Sequence, residues 1–152
     1  MATRRTVTVS ETVDVARDRV AVFDFTQDYA HRAEWDDSVV SAEVLSDEPL
    51  RVRLEIRSVG RMTLEYQLFR RGERTSAAFV DVDSSWVGGG GGSWAYESNG
   101  DGTHWTQTNT LELKHPRLMG FMAPMIERNL RSSMRRAMAR AVAMMEGRAP
   151  TG

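Results

Sequence analysis

The sequence predicts an α+β protein in which a curved antiparallel sheet of seven strands wraps around one long C-terminal helix. Segments with alternating apolar and polar residues occupy most of the chain up to residue 113, which is typical of strands joined as hairpins. Two short helical segments follow only the first strand, and a stretch with helical periodicity closes the chain. Successive strands with helices segregated beside them indicate the α+β class.

Composition narrows the possible functions. The 152 residues have the length of one domain, so we predict a single domain over residues 1–152. The net charge of −1 argues against nucleic-acid binding, and the absence of cysteine excludes disulfides and zinc–thiolate sites. We expect no secretory signal, because no apolar segment follows the two N-terminal arginines, and no apolar run approaches the roughly 20 residues that span a bilayer. We therefore expect a cytoplasmic protein without membrane insertion.

The N-terminal region changes its periodicity twice. Residues 5–13 alternate and are rich in Val and Thr, which predicts the first strand. Residues 16–35 show helical spacing that is interrupted near Asp28, which predicts two short helices. Residues 38–47 return to alternation and predict the second strand.

Two neighbouring segments with strict alternation form the predicted third and fourth strands. Facing residues must share a face, so we expect Leu54 opposite Leu64, with residues 58–60 as a three-residue loop ending in glycine. The same register places Arg53 opposite Glu65 on the charged outer face. The pattern predicts a sheet that is covered on one side only.

The register of the fifth strand depends on the turn that precedes it. A two-residue turn at Gly72 and Glu73 would pair Asp81 with Leu64 and Phe79 with Tyr66. Asp81 would then lie on the concave face of the sheet.

The last two strands form a hairpin around residues 99–102. This turn pairs Tyr96 with Trp105 and Trp94 with Gln107. The face of the final strand that points to the helix then carries Trp105, Gln107, Asn109, Leu111 and Leu113.

The long helix covers roughly residues 116–146, with Pro124 expected to kink or break it. Its arginines could form a nucleic-acid patch, but on a chain of nearly zero net charge we interpret them as a solvated face. A stripe with three-to-four spacing faces the sheet: Ile126, Leu130, Met134, Met138, Ala141 and Met145.

Several residues resemble the START-like, Bet v 1-type superfamily, also called SRPBCC or polyketide cyclase/dehydrase-like proteins. One is the Gly-Thr entry to the last strand in residues 101–106, and another is the Met-Met-Glu-Gly ending at residues 144–147. Ala16 departs from this pattern, because the family commonly has proline there. The longest match lies in residues 19–45 and consists of Val20, Phe23, Asp28, Trp35, Val39 and Val40.

The resemblance implies a helix-grip fold with a cavity between the sheet and the long helix. Members bind or transform lipids, polyketides, hormones and flavonoid-like compounds in that cavity, and some are cyclases or aromatases. Because fold does not choose among these activities, the function has to be argued from the site.

The run of five glycines at residues 88–92 lies between the predicted fifth and sixth strands. It lacks the Lys-Ser/Thr pair and the following helix of a phosphate-binding loop. We interpret it as a flexible hairpin loop at one end of the cavity, where its mobility would gate entry past Trp86 and Trp94. Its composition is also that of an engineered Gly-Ser linker.

The predicted concave face is aromatic and partly polar, as a small-molecule site requires. Gln107 and Asn109 are the strongest indication of a ligand-binding site, since buried amides without hydrogen-bond partners cost about 1–3 kcal/mol each. They would bind a ligand's oxygens, or else water and neighbouring side chains. Met122 and Met125 beside Pro124 would form a malleable wall. The predicted ligand-binding residues are Leu54, Ile56, Leu64, Tyr66, Phe79, Trp94, Tyr96, Trp105, Gln107, Asn109, Met122, Met125 and Asn129.

The expected function is binding of a hydrophobic, aromatic or polyketide/lipid-like small molecule in the cavity. One alternative is a polyketide cyclase or aromatase in which Tyr66, Tyr96, Asp81 or a bound water handles protons. A second alternative is a protein-interaction module whose cavity is filled by side chains. The sequence is compatible with a homodimer and does not determine the oligomeric state.

No cofactor is expected, and no metal, because His31, His104 and His115 are scattered. Asp36 and Asp37 are expected on a solvated loop. Trp35 is interpreted as a structural residue at the base of the sheet, with ligand contact as the alternative.

Overall fold

The computed structural model describes residues 6–147, so the predicted start of the first strand at residue 5 and both ends of the predicted domain lie outside the described residues. Short 3₁₀ turns at Tyr29–His31 and Gly120–Met122 precede α2 and α4. In chain order the elements are β1 (Thr6–Val15), α1 (Arg19–Thr26), α2 (Arg32–Trp35), β2 (Val39–Asp47), β3 (Leu50–Ile56), β4 (Gly60–Arg70), β5 (Arg74–Asp83), β6 (Val87–Asn99), β7 (Gly102–Leu113), α3 (Pro116–Met119) and α4 (Ala123–Met145).

The seven strands form one antiparallel sheet in the order β1-β7-β6-β5-β4-β3-β2. The two strands at the edges are therefore β1 and β2, which are joined through α1 and α2. Helix α4 packs along β1 and closes the concave side of the sheet. The predicted fold class, a seven-stranded antiparallel sheet around a long C-terminal helix with short helices after β1, is confirmed.

Side-chain caps explain where the first short helices begin. The carboxylate of Asp18 accepts a hydrogen bond from the Ala21 backbone N–H at 3.0 Å, which starts α1. Asp28 does the same for Ala30 at 3.1 Å and starts the 3₁₀ turn. The predicted interruption near Asp28 is confirmed, and its cause is a new N-cap at that residue.

Pro124 marks a break in the predicted C-terminal helix. It lies in the first turn of α4, where its missing N–H has no intrahelical acceptor to lose. The stripe that was predicted to face the sheet does so, since Met134, Met138, Ala141 and Met145 are buried.

The predicted register between β3 and β4 is wrong by two residues. Leu54 faces Met62 rather than Leu64, and the loop consists of residues 57–59. The ion pair on the outer face therefore joins Arg51, not Arg53, to Glu65, at 2.9 Å. Because the shift is even, the side chains keep the faces that were predicted for them.

The β5 register that a two-residue turn would give is not the one observed. The turn holds three residues, 71–73, and two bulges interrupt the β4–β5 ladder. Leu64 therefore pairs with Phe79, which remains on the concave side. Asp81 pairs with Thr63, and it is exposed on the opposite face. Asp81 therefore cannot serve as a catalytic group in the cavity.

The glycine run is part of a strand, and the predicted hairpin loop is wrong. Residues 88–92 lie inside β6, and their backbone pairs with β7 and partly with β5. The predicted β6–β7 pairs are confirmed, with Tyr96 opposite Trp105 and Trp94 opposite Gln107. The run therefore belongs to the wall of the sheet and cannot act as the predicted gate.

Two apolar clusters fill the space between the sheet and the helices. The larger one surrounds Trp35 and Trp105, whose rings meet edge to face at 5.8 Å. The smaller one lies under the start of α4 and includes Val7, Val9 and Met134. Trp35 is thus in the structural position that was predicted.

Among the helices within residues 6–147, none combines the length and the hydropathy of a bilayer-spanning segment.

Candidate ligand cavity

A cavity of about 410 Å³ lies between the concave face of the sheet and α4. This volume is within the range of pockets that hold drug-sized molecules. Its wall takes residues from both apolar clusters, including Met62 and Leu64 from the sheet and Leu130 and Met134 from α4. The cavity is therefore bounded on two sides by apolar surface.

Most of the residues predicted to bind ligand lie on this wall. Trp94 stacks on Tyr66 with the ring centroids 6.0 Å apart. Gly92 leaves room for this ring, because a Cβ there would come within 2.8 Å of Trp94. The predicted residues on the wall are Leu54, Ile56, Leu64, Phe79, Trp94, Gln107, Asn109 and Asn129.

Three predicted aromatic residues lie behind the wall instead of on it. The hydroxyl of Tyr96 bonds with Thr26 at 2.6 Å and accepts from the Gln27 amide at 2.8 Å. The hydroxyl of Tyr66 donates to Gln27 at 2.8 Å and also bonds with the hydroxyl of Tyr29. Neither phenol is part of the cavity wall, and Trp105 is fully buried among core side chains.

Two predicted methionines also lie off the wall. Met125 is 44% exposed, and Met122 lies in the 3₁₀ turn before α4. Met122 therefore precedes the helix that covers the cavity, whereas Met125 belongs to α4 but is not part of the cavity wall. The apolar contacts predicted for these methionines come instead from Ile126 and Leu130.

The sequence interpretation missed a buried ion pair on the wall. Arg32 and Asp36 lie one helical turn apart, with Nε and Oδ2 separated by 3.4 Å, and both side chains are largely buried. Asp36 also accepts hydrogen bonds from the Ser38 backbone N–H and hydroxyl, at 3.1 and 2.5 Å. The expectation that Asp36 is solvated is therefore wrong. The i,i+4 spacing of Arg32 and Asp36 was the sequence signal for this ion pair. The spacing brings the two side chains together only because α2 is helical.

Aromatic rings help to hold the Arg32 guanidinium in this position. Its central carbon lies 4.3 Å from the ring centre of Trp35 and 5.7 Å from that of Tyr29, which favours the cation. Burial opposes the charged form, but Asp36 and the nearby tyrosines outweigh it and raise the pKa of Arg32. Arg32 therefore remains charged at the cavity wall.

Gln107 is the second polar feature of the wall. The residue is only 4% exposed, and its side-chain amide makes no hydrogen bond among the described residues. The fully buried polar side-chain atoms without a partner in this part of the chain are the indole N–H groups of Trp35, Trp94 and Trp105, and of these Trp94 lies on the cavity wall. The neighbour of Gln107 along β7 on the same face, Asn109, also lines the cavity. These amides can bind oxygen or N–H groups of a molecule inside the cavity.

Within residues 6–147, no group of three His, Asp or Glu side chains is arranged to hold a metal ion.

All three tyrosines should resist ionisation in the folded protein. Burial raises the pKa of Tyr29, raises that of Tyr66 well above its usual range, and raises that of Tyr96 to about 12. Because an unfolded tyrosine titrates near pH ~10, the neutral phenols stabilise the fold below that pH. This contribution is lost as the pH rises through the folded-state pKa values.

An alkaline titration followed by tyrosinate absorbance checks this prediction. Tyrosinate should form only together with unfolding, which is followed by circular dichroism, whereas the protein in guanidinium chloride should titrate near pH ~10. In Tyr96→Phe, the rise in tyrosinate absorbance at the unfolding transition should correspond to one tyrosine fewer. No tyrosine of this variant should ionise at a lower pH than in wild type. A phenol that titrates reversibly near pH ~10 in folded protein would contradict the buried network.

Comparison with solved structures finds the same fold in other proteins. The Zhui aromatase/cyclase from Streptomyces sp. R1128 superposes with a TM-score of 0.77 at 19% identity, covering 97% of this chain and 99% of that chain. A START superfamily protein from Mycobacterium smegmatis gives 0.76 at 15% identity, covering 92% and 97%. The di-domain aromatase/cyclase BexL of the BE-7585A biosynthetic pathway gives 0.75 at 19% identity, covering 95% of this chain and 51% of that chain. At these identities the likeness shows the fold alone.

Comparisons of the sequence itself identify the family. No curated protein sequence matches the chain. The family described as polyketide cyclase/dehydrase and lipid transport matches residues 6–146, which is nearly the whole chain. This match agrees with the helix-grip architecture and with the cavity between the sheet and α4. The chain therefore belongs to the polyketide cyclase/dehydrase and lipid transport family.

Proposed function

We propose that this protein binds a hydrophobic small molecule of aromatic or polyketide/lipid-like character in the cavity between the sheet and α4. The observation that carries the proposal is Gln107, a residue 4% exposed whose amide lies on the cavity wall and makes no hydrogen bond among the described residues. Such a group costs about 1–3 kcal/mol when it lacks a partner, and a bound molecule with a polar group would supply one.

The wall around Gln107 supports an aromatic ligand. Trp94 and Phe79 present ring surface from the sheet, and Leu130 presents apolar surface from α4. An apolar wall with a few convergent polar groups is typical of a small-molecule site. The aromatase/cyclase names of two structural neighbours are consistent with polycyclic aromatic ligands.

The two alternative functions have less support. The open volume of about 410 Å³ argues against an interaction module whose cavity is filled by side chains. The cyclase alternative relied on Tyr66, Tyr96 and Asp81, and none of these side chains lies on the wall. We therefore propose binding, and we assign no proton-transfer role to these three residues.

A matched pair of amide substitutions tests the proposal. Gln107→Leu removes the amide from the wall, and Gln67→Leu makes the same change at an exposed position of β4. For hydroxynaphthalenes and hydroxyanthraquinones, we expect Gln107→Leu to weaken binding about fivefold to thirtyfold, because one hydrogen bond is lost. Quenching of tryptophan fluorescence measures the affinity, since Trp86 and Trp94 line the cavity. Equal affinities for wild type and both variants, or no binding of any panel member or fatty acid, would contradict the proposal.

A further inference from the structure

We propose that the buried Arg32–Asp36 pair is a polar anchor in the cavity, selecting ligands with a neutral oxygen acceptor such as a ketone, quinone or ester over hydrocarbons and anions. This inference rests on the proposed binding function and specifies the chemical class of its ligand. It is carried by the position of the pair on the cavity wall and by the unused donors of Arg32.

Several N–H donors of Arg32 make no hydrogen bond within the described part of the chain. A guanidinium carries five N–H donors, and among the described residues only two of them meet acceptors. These acceptors are the Asp36 carboxylate and the Thr26 carbonyl oxygen, each at 3.4 Å, which is long for a charge-assisted hydrogen bond. Because Arg32 lines the cavity and is only 5% exposed, a molecule inside the cavity is the natural acceptor for the remaining donors.

The unused donors discriminate against a purely hydrocarbon ligand. A hydrocarbon that fills the cavity displaces water from Arg32 and supplies no acceptor in exchange. The loss of hydrogen bonding to a buried charged donor is more costly than the same loss at a neutral group. A carbonyl oxygen at the same place restores the bond and keeps the apolar contacts of the ring system.

The charge of Asp36 discriminates against an anionic ligand. The titratable groups on the wall are Tyr29, Arg32, Asp36 and Arg57. Asp36 already balances the charge of Arg32 at 3.4 Å, so a ligand carboxylate on Arg32 would meet a second negative charge in a poorly hydrated space. Arg57 does not offset this repulsion effectively, because it is exposed at the rim and its Nε donates to the Asp37 carbonyl oxygen at 3.3 Å.

Three probes with one ring system test the inference: naphthalene, 2-acetylnaphthalene and 2-naphthoate. For the wild-type protein we expect 2-acetylnaphthalene to bind about tenfold to one hundredfold more tightly than naphthalene, as a hydrogen bond to a charged donor implies. We also expect 2-naphthoate to bind more weakly than 2-acetylnaphthalene. Tightest binding by 2-naphthoate, or equal affinity for all three probes, would overturn the inference.

Matched variants locate the preference at the pair. The double variant Arg32→Met/Asp36→Asn removes both charges, and its Asn oxygen can still accept from the Ser38 backbone. It should bind naphthalene at least as tightly as wild type and lose the preference for 2-acetylnaphthalene. Arg51→Gln, a charge removal on the exposed outer face of the sheet and away from the cavity wall, should keep that preference. Arg32→Lys keeps the charge but loses the fork of donors, so it should show a reduced preference even if the double variant fails to fold.

The outcomes separate this inference from the proposed function. If no naphthalene probe binds to wild type, binding of small aromatic molecules and the anchor both fail. If naphthalene binds but the double variant keeps the wild-type preference, the cavity binds ligands and only the role assigned to Arg32 and Asp36 is wrong.

Discussion

Replacement of Gly90 by alanine is expected to destabilise the protein by about 3 kcal/mol or more. The backbone of Gly90 has φ +136°, a conformation that residues with a side chain rarely adopt. A Cβ at this position would lie 2.0 Å from the carbonyl oxygen of Thr110 in the neighbouring strand β7. The strands would have to separate to relieve this overlap, which would break the β6–β7 ladder in the centre of the sheet. Urea-induced unfolding followed by circular dichroism measures the loss.

Gly88→Ala is the control within the same run. Its backbone does not have a positive φ, and a Cβ there would meet Lys114 at an ordinary contact distance of 3.5 Å. We expect this change to be neutral within about 0.5 kcal/mol, or slightly stabilising through the unfolded state. Equal effects of the two substitutions would show that the strand does not hold Gly90 in the described conformation.

The contrast between these two glycines shows why the sequence interpretation of the run was wrong. Five glycines carry no alternation of apolar and polar side chains, so local pattern and low β propensity both favour a loop. The strand forms because β5 and β7 supply hydrogen-bonding partners on its two sides. Close approaches around Gly90, and around Gly92 beneath Trp94, then make glycine the residue that fits. The glycine run is therefore a strand because of β5 and β7, and its own sequence does not predict this.

Alternation predicted the faces of the other strands but not their register. It placed Leu54, Leu64 and Gln107 on the concave side, and the structure agrees. Pairing was predicted correctly only for β6 and β7, where the Asn-Gly-Asp-Gly turn fixed it. Between β3 and β4 a shift of two residues preserves every face, so periodicity could not detect it. The bulges between β4 and β5 left no sequence signal that we recognised.

The candidate site was predictable where strands form it and not where α2 forms it. Gln107 and Trp94 follow directly from strand alternation and lie on the wall. Arg32 and Asp36 appear in the sequence as ordinary surface charges, because a helix of four residues is too short to show periodicity. Their burial depends on packing against Trp35 and Tyr29, which only the folded chain brings together.

Arg32→Met alone should cost about 3–5 kcal/mol of unfolding free energy, since it leaves the Asp36 carboxylate largely buried without its cation. The cost of an unpaired buried charge exceeds the small net benefit of the pair itself. Adding Asp36→Asn to the same protein should therefore recover most of the loss, to within about 1 kcal/mol of wild type. Urea unfolding of both variants at neutral pH measures the two values.

Arg51→Met provides the comparison at an exposed ion pair. Arg51 and Glu65 lie 2.9 Å apart on the outer face, with the arginine side chain 48% exposed, so we expect a loss of no more than about 1 kcal/mol. If Arg32→Met costs no more than Arg51→Met, water reaches Asp36 and the pair is not a buried one. If the double variant is as unstable as Arg32→Met alone, the loss comes from the packing of the guanidinium on Trp35 and Tyr29 rather than from charge. A double variant that regains stability while losing its preference for carbonyl ligands would show that the buried pair is kept for recognition, because the fold itself does not need it.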